Sequence, residues 1–279
     1  MIPESDRAGG DAPAPSRLAG LFDDLDRHWI VSALVAWAAI AAYSVWDDFN
    51  AVRWLSLGDT DDNMRLMQVR AWMNGQGWFD LRQYRMNPPG GLDIHWSRLV
   101  DLPIAGLILF FRLFTSDSWA ERLAAGIAPA LPLAVVILGL AATVRRLIHP
   151  LAWPLAVAIL VTAGATMGMF LPERLDHHGW QLAMLSLTVA GLCDPRPARG
   201  GLVVGLASAA SLTIGLELIP FTLMEGAIIA LRWVWDRDDA PRLRAYAASL
   251  GGGATFGFAA FASYANRIPR CDALTPAWL

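Results

Sequence analysis

Long apolar runs recur along this chain with charge confined to the stretches between them, and that pattern admits few folds. Backbone inside hydrocarbon must satisfy its own hydrogen bonds, which leaves helices for runs of this length. Trp29 to Trp46 holds 18 nearly uninterrupted apolar residues, with tryptophan at both ends where aromatic belts sit. Further runs cover Ala120 to Val144, Leu151 to Leu171, Gly179 to Cys193, Gly201 to Leu216, Ile219 to Trp235 and Leu243 to Ala265. With 55% hydrophobic and 17% charged residues and a mean hydropathy of +0.40, the 279 residues are too apolar for a soluble domain. The expected fold class is all-α, a polytopic membrane helical bundle of about seven spans.

Residues 1–27, rich in Ala, Gly, Pro, Ser and Asp, read as a disordered cytoplasmic tail, and 28–279 as the membrane domain. The run from Trp29 is too long, and its leader too mixed in charge, for a secretory signal, so it is a retained first span. All 22 basic residues are arginine; the net charge of -3 leaves no footprint for nucleic acid. Cys193 and Cys271 cannot build a disulfide framework.

Arginine placement sets the expected topology, because short cytoplasmic loops collect positive charge. Arg7, Arg17 and Arg27 put the N-terminus inside. The segment Leu99 to Phe114 has 16 residues and carries Asp101, Pro103 and Arg112, so it reads as re-entrant or interfacial. If it does not cross, Arg145-Arg146, Arg196 and Arg199, and Arg237, Arg242 and Arg244 all fall inside as well. One long outer loop then covers 47–119, and the two cysteines take opposite faces.

Two polar knots share the outer face in that arrangement. The first, Gly58-Asp59-Thr60-Asp61-Asp62-Asn63, follows the first span, and the second, Glu173-Arg174-Leu175-Asp176-His177-His178, interrupts the apolar sequence more than a hundred residues later. Asp59 or Thr60 is an expected N-cap, with Asp61 and Asp62 in the first turn of a helix that Gly75 stops. One reading leaves these acids as caps of a surface helix; the other makes them part of a site. Carboxylate plus imidazole suits a divalent metal, and Asp176 and His178 can reach one ion from an irregular loop. Asp59, Asp62, His177 and Glu217 are further candidates. His95 and Arg98 stand at the membrane edge, where arginine either snorkels to headgroups or grips a lipid phosphate.

The order of a first span, an outer Asp61 opening a helix, Arg70 nine residues on and the loop Trp72-Met73-Asn74-Gly75-Gln76-Gly77-Trp78 resembles the first outer loop of GT-C glycosyltransferases. The bacterial and archaeal oligosaccharyltransferase catalytic subunits are the most similar, over about Trp29 to Leu192. Asp176-His177-His178 takes the place of their second acidic motif. The resemblance implies a divalent metal, Mg or Mn, held by Asp61, Asp176 and His178, with Arg70, Arg98 and His95 meeting the lipid phosphate. It implies transfer of a sugar or oligosaccharide from a polyprenyl-phosphate-linked donor at the outer face of the bacterial cytoplasmic membrane. Asp61 then either orients an acceptor amide or serves as general base toward a hydroxyl. The arginine that such enzymes place before the second motif falls at Met169 here, and their further spans and Trp-Trp-Asp domain lie beyond the pattern read to Leu279. An incomplete copy of the family's architecture is expected. The competing class is a multi-pass transporter or membrane scaffold whose acids and histidines bind protons or ions.

Overall fold

The computed structural model describes residues 17–279, and the fold is almost entirely helical. The N-terminal part of the expected disordered tail, 1–16, lies outside the described residues. Its remainder differs from expectation: Arg17–Arg27 is a helix, α1.

Helix α2 (Trp29–Asp47) matches the first apolar run and is almost entirely uncovered by the rest of the chain. Its exposed Ile30, Val31, Val35 and Trp46 need lipid rather than water around them. After the short α3 (Phe49–Trp54) the chain builds a cap from α4 (Thr60–Met73), a two-residue antiparallel pair of strands, β1 (Arg82–Gln83) and β2 (Leu92–Asp93), and α5 (Asp101–Arg112). At 1.5 Å per residue, the 12 residues of α5 reach about 18 Å, short of the ~30 Å hydrocarbon layer. The segment packs on α4 and α6 (Asp117–Ile127). Leu66, Val69, Ile104, Ile108 and the alanines of α6 form the core of this cap.

The bundle follows with α7 (Ala130–Leu147), α8 (Trp153–Thr162), α9 (Gly164–Met167), α10 (His178–Leu192), α11 (Pro197–Ile214), α12 (Ile219–Trp235) and α13 (Ala240–Phe261). Three helical stretches are long and apolar enough to cross a bilayer: Trp29–Asp47, Asp117–Leu147 and Pro197–Ile214. They mark a membrane protein. The other four anticipated spans are helical but shorter or less apolar; the run Leu151 to Leu171 is split into α8 and α9 where Ala163 leaves helical geometry.

Helix α10 packs between α7 and α11, and α11 lies along α13. Small residues permit that last approach: a Cβ on Gly201 would overlap the Arg242 carbonyl, and one on Gly205 would overlap the Ser249 hydroxyl. At one end of the bundle Asp194 gathers Arg146 and Arg199, at 3.2 and 2.7 Å, while Asp239 binds Arg232 and Arg242, at 2.9 and 3.1 Å. The cap and the N-terminus of α10 occupy the other end.

Candidate functional site

The two polar knots meet. Asp59 caps α4, its Oδ1 accepting from the Asp61 and Asp62 amides at 3.0 and 3.1 Å, and Asp62 completes a capping box by accepting from the Asp59 amide at 3.2 Å. Asp62 is fully buried, and its other oxygen accepts the Asp176 amide at 2.9 Å. Arg174 reaches from the second knot to both Asp59 and Asp62, the latter at 2.9 Å. Burial pushes the Asp62 carboxyl up to about 6, against the pull of the Asp176 amide and Arg174.

The second knot is bent to make that contact. Glu173 sits at φ 71, a left-handed conformation costly for a residue with a Cβ, while its amide donates to the Ala125 carbonyl at 3.1 Å. This turn drops Leu175 into the cap core and presents Asp176 at the start of α10. The Glu173 carboxyl is itself buried, with both oxygens lacking a hydrogen-bond partner among the described residues, and burial pushes it up to about 8.

Asp176, His177 and His178 form a cluster whose donor atoms lie within 4.8 Å of one another. The Asp176 oxygens divide the work. Oδ1 accepts the His177 amide at 2.7 Å and stands 2.6 Å from His177 Nδ1, a close ionic contact off the hydrogen-bond line. His177 Nε2 meets Glu217 Oε1 at 2.9 Å, so a buried imidazole is held between two carboxylates. Burial alone would lower the His177 pKa, but the two carboxylates override it and keep the ring cationic above the usual histidine range. The same contacts hold Asp176 and Glu217 below the usual carboxylate range, despite burial that would raise them. Trp96 packs against the His177 ring at 5.6 Å between centroids, and the Arg65 guanidinium lies 4.5 Å from the Trp96 ring centre.

Oδ2 faces His178 Nε2 at 3.2 Å. One proton on His178 is placed by its neighbours. Gln181 donates its amide nitrogen to Glu217 Oε2, which turns its carbonyl oxygen to His178 Nδ1 at 3.1 Å. A proton on Nδ1 satisfies that contact, and at Nε2 either a second proton donated to Asp176 Oδ2 or a metal ion bridging the two atoms satisfies the 3.2 Å approach. Ligands ~2.1 Å from an ion stand at most ~4.2 Å apart, so Asp176 Oδ2 and His178 Nε2 fit one divalent ion, with the His178 side chain 42% exposed on the open side. His177, with both nitrogens engaged by carboxylates, is a poor ligand.

The structure redistributes the other residues singled out from sequence. Asp61 is exposed and stands outside the Asp176-His177-His178 cluster; Asp62, next to it, is the acid that contacts the second knot. Nine residues of α4 separate Asp61 from Arg70, about 13 Å along the axis. Arg70 makes a bidentate pair with Glu121 at 3.0 and 2.7 Å and lines a separate open cleft of about 800 Å³ with Arg82, Tyr84 and Arg85. Arg98 is fully buried, bound to Asp101 at 3.1 Å and to the carbonyls of Gln68, Trp78 and Asp80, and so cannot touch lipid. His95 remains partly exposed beside Trp96, 3.7 Å from Asp272. Glu217 is no idle turn residue, since it orients both His177 and Gln181. Gln181 escaped the sequence reading; its signal was a lone amide three residues after His178 in an apolar helix.

No family model matches this chain, and no curated protein or solved structure is significantly similar to it. Fold and site together define a helical membrane protein with an acid-imidazole cluster where its helices meet a folded cap.

Proposed function

We propose that this protein is a metal-dependent membrane glycosyltransferase of the GT-C kind. Its donor is a sugar or oligosaccharide on a polyprenyl phosphate, met at the outer face of the bacterial cytoplasmic membrane. The observation that carries the reading is the Asp176 and His178 pair, 3.2 Å apart at the N-terminus of α10 with His178 open on one side. Mg or Mn held by that pair would supply charge neutralisation for the leaving phosphate. The remaining work falls to the chain's own groups. His177, Glu217 and Gln181 lock the orientation of the pair. Arg174 binds the two knots together and keeps the acids of α4 against the cluster. Asp61, exposed one residue from Asp62, is the free carboxylate for orienting an acceptor or taking its proton. His95, partly exposed beside Trp96, would meet the lipid phosphate.

Membranes carrying the wild-type chain should transfer label from a radiolabelled polyprenyl-phosphate sugar in the presence of Mn. Asp176→Asn and His178→Ala should lose the transfer while remaining folded, and Asp61→Ala should lose it without losing metal. Transfer by the two ligand variants at the wild-type rate, or none by any form across mono- and pyrophosphate donors, would sink the proposal.

A further inference from the structure

A second acid lies deep in the helix bundle, well away from the cap. Glu225 projects from α12 between α10 and α11 and is only 4% exposed. It sits six residues below the first residue of α12, about 9 Å, among apolar helices where an isolated carboxylate is costly. Its partners are hydroxyls: Thr188 contacts Oε1, and Ser208 donates to Oε2 at 3.1 Å.

Counting protons shows what is missing. Thr188 has one hydroxyl hydrogen but stands against two acceptors, Glu225 Oε1 and the Leu185 carbonyl at 2.7 Å. Whichever it serves, one oxygen-oxygen contact is left without a hydrogen between its atoms. Either a proton on Glu225 or another small cation removes that repulsion. A cavity of about 10 Å³, the size of one water-sized occupant, adjoins the carboxylate and is also bordered by Ser211 and Thr222. The rest of the lining is apolar, from Met184, Leu185, Leu218 and Phe221, so the carboxylate with its two hydroxyl partners is an oxygen site with one negative charge. That charge matches a monovalent cation; a divalent one would remain half neutralised in an apolar setting.

We propose that Glu225, Thr188 and Ser208, beside the cavity that Ser211 and Thr222 border, form a buried monovalent-cation site, occupied by a proton that Na⁺ can replace. It stands independently of any chemistry at Asp176 and His178.

The full chain in detergent would be treated with dicyclohexylcarbodiimide, which adds to protonated carboxyls in apolar surroundings, between about pH 5 and pH 9 and with either NaCl or choline chloride. Mass spectrometry should find the adduct on Glu225, declining as pH rises, and absent at that position in Glu225→Gln. Sodium should slow labelling about threefold or more and raise the melting temperature of the wild type but not of Glu225→Gln. A pH response without sodium protection would assign the site to the proton alone. Labelling indifferent to both pH and sodium, or no labelling together with a sodium-insensitive melting temperature, would overturn the proposal.

Discussion

Single residues decide the chemistry here through what they touch. In the proposed metal site Gln181 acts through another residue, its carbonyl meeting His178 Nδ1 at 3.1 Å. Gln181→Ala should weaken Mn binding by roughly 10- to 100-fold, read by titration of the purified chain, with little loss of helicity. Glu173 offers a test with a defined sign. Its carboxyl is raised from an ordinary 4.5 to about 8, so its share of stability is fully present below pH 4.5 and is lost as pH rises toward 8. Glu173→Gln removes that dependence, and its melting temperature should exceed the wild-type value increasingly from pH 5 to pH 8. The difference in unfolding free energy at the upper end should be on the order of a few kcal/mol. A constant offset would show that the carboxyl ionises freely in the fold. The acidic run at 59–62 shows how far residue reading goes: its N-cap was legible, because capping is local. Which acid faces the second knot was not, because Asp61 and Asp62 differ by one 100° step around α4 and only packing says which side is inward.

At the scale of elements, α4 and α5 are held by charge inside the cap. Arg98 and Arg65 share Asp101 in full burial, and removing one partner strands the others. Arg98→Ala should therefore cost roughly 3–5 kcal/mol and appear as aggregation or protease sensitivity of the cap, with no selective rise in apparent KM for a lipid phosphate. The sequence read Arg98 as a membrane-edge cation because it lies among aromatic and loop residues. Its partner Asp101 lies only three residues on, but the carbonyls that complete the burial of Arg98 come from 18 to 30 residues away, beyond any local pattern. Helix α11 tests close packing instead. Gly205→Leu should force α11 from α13, giving a large fall in melting temperature, whereas Gly251→Ala, open in space on α13, should be tolerated.

Over the whole molecule, cap and arginine-rich end lie at opposite poles of the bundle, and the two cysteines report on them. Cys271 is exposed in the segment that packs on the cap, and Cys193 follows α10 at the other pole. An impermeant maleimide should label Cys271 in intact cells and Cys193 only after permeabilisation; the reverse pattern would invert the topology. The apolar runs determined by themselves that the chain is helical and built for a membrane, since burial of backbone in lipid leaves no alternative. They also placed the helices to within a few residues, because hydropathy and Pro or Gly breaks are local signals. Helix lengths came out shorter than runs of apolar residues implied, as at Ala163, where backbone geometry breaks a continuous hydrophobic stretch. The sequence likewise isolated Asp176 and His178 as neighbours with ligand chemistry. Only the tertiary structure decided that Asp62 meets Asp176, that His177 is clamped rather than free, and that Arg70 and Arg98 are paired away from the site. Those facts depend on contacts between segments up to 114 residues apart, and side-chain partners at that range are set by three-dimensional packing rather than by spacing along the chain.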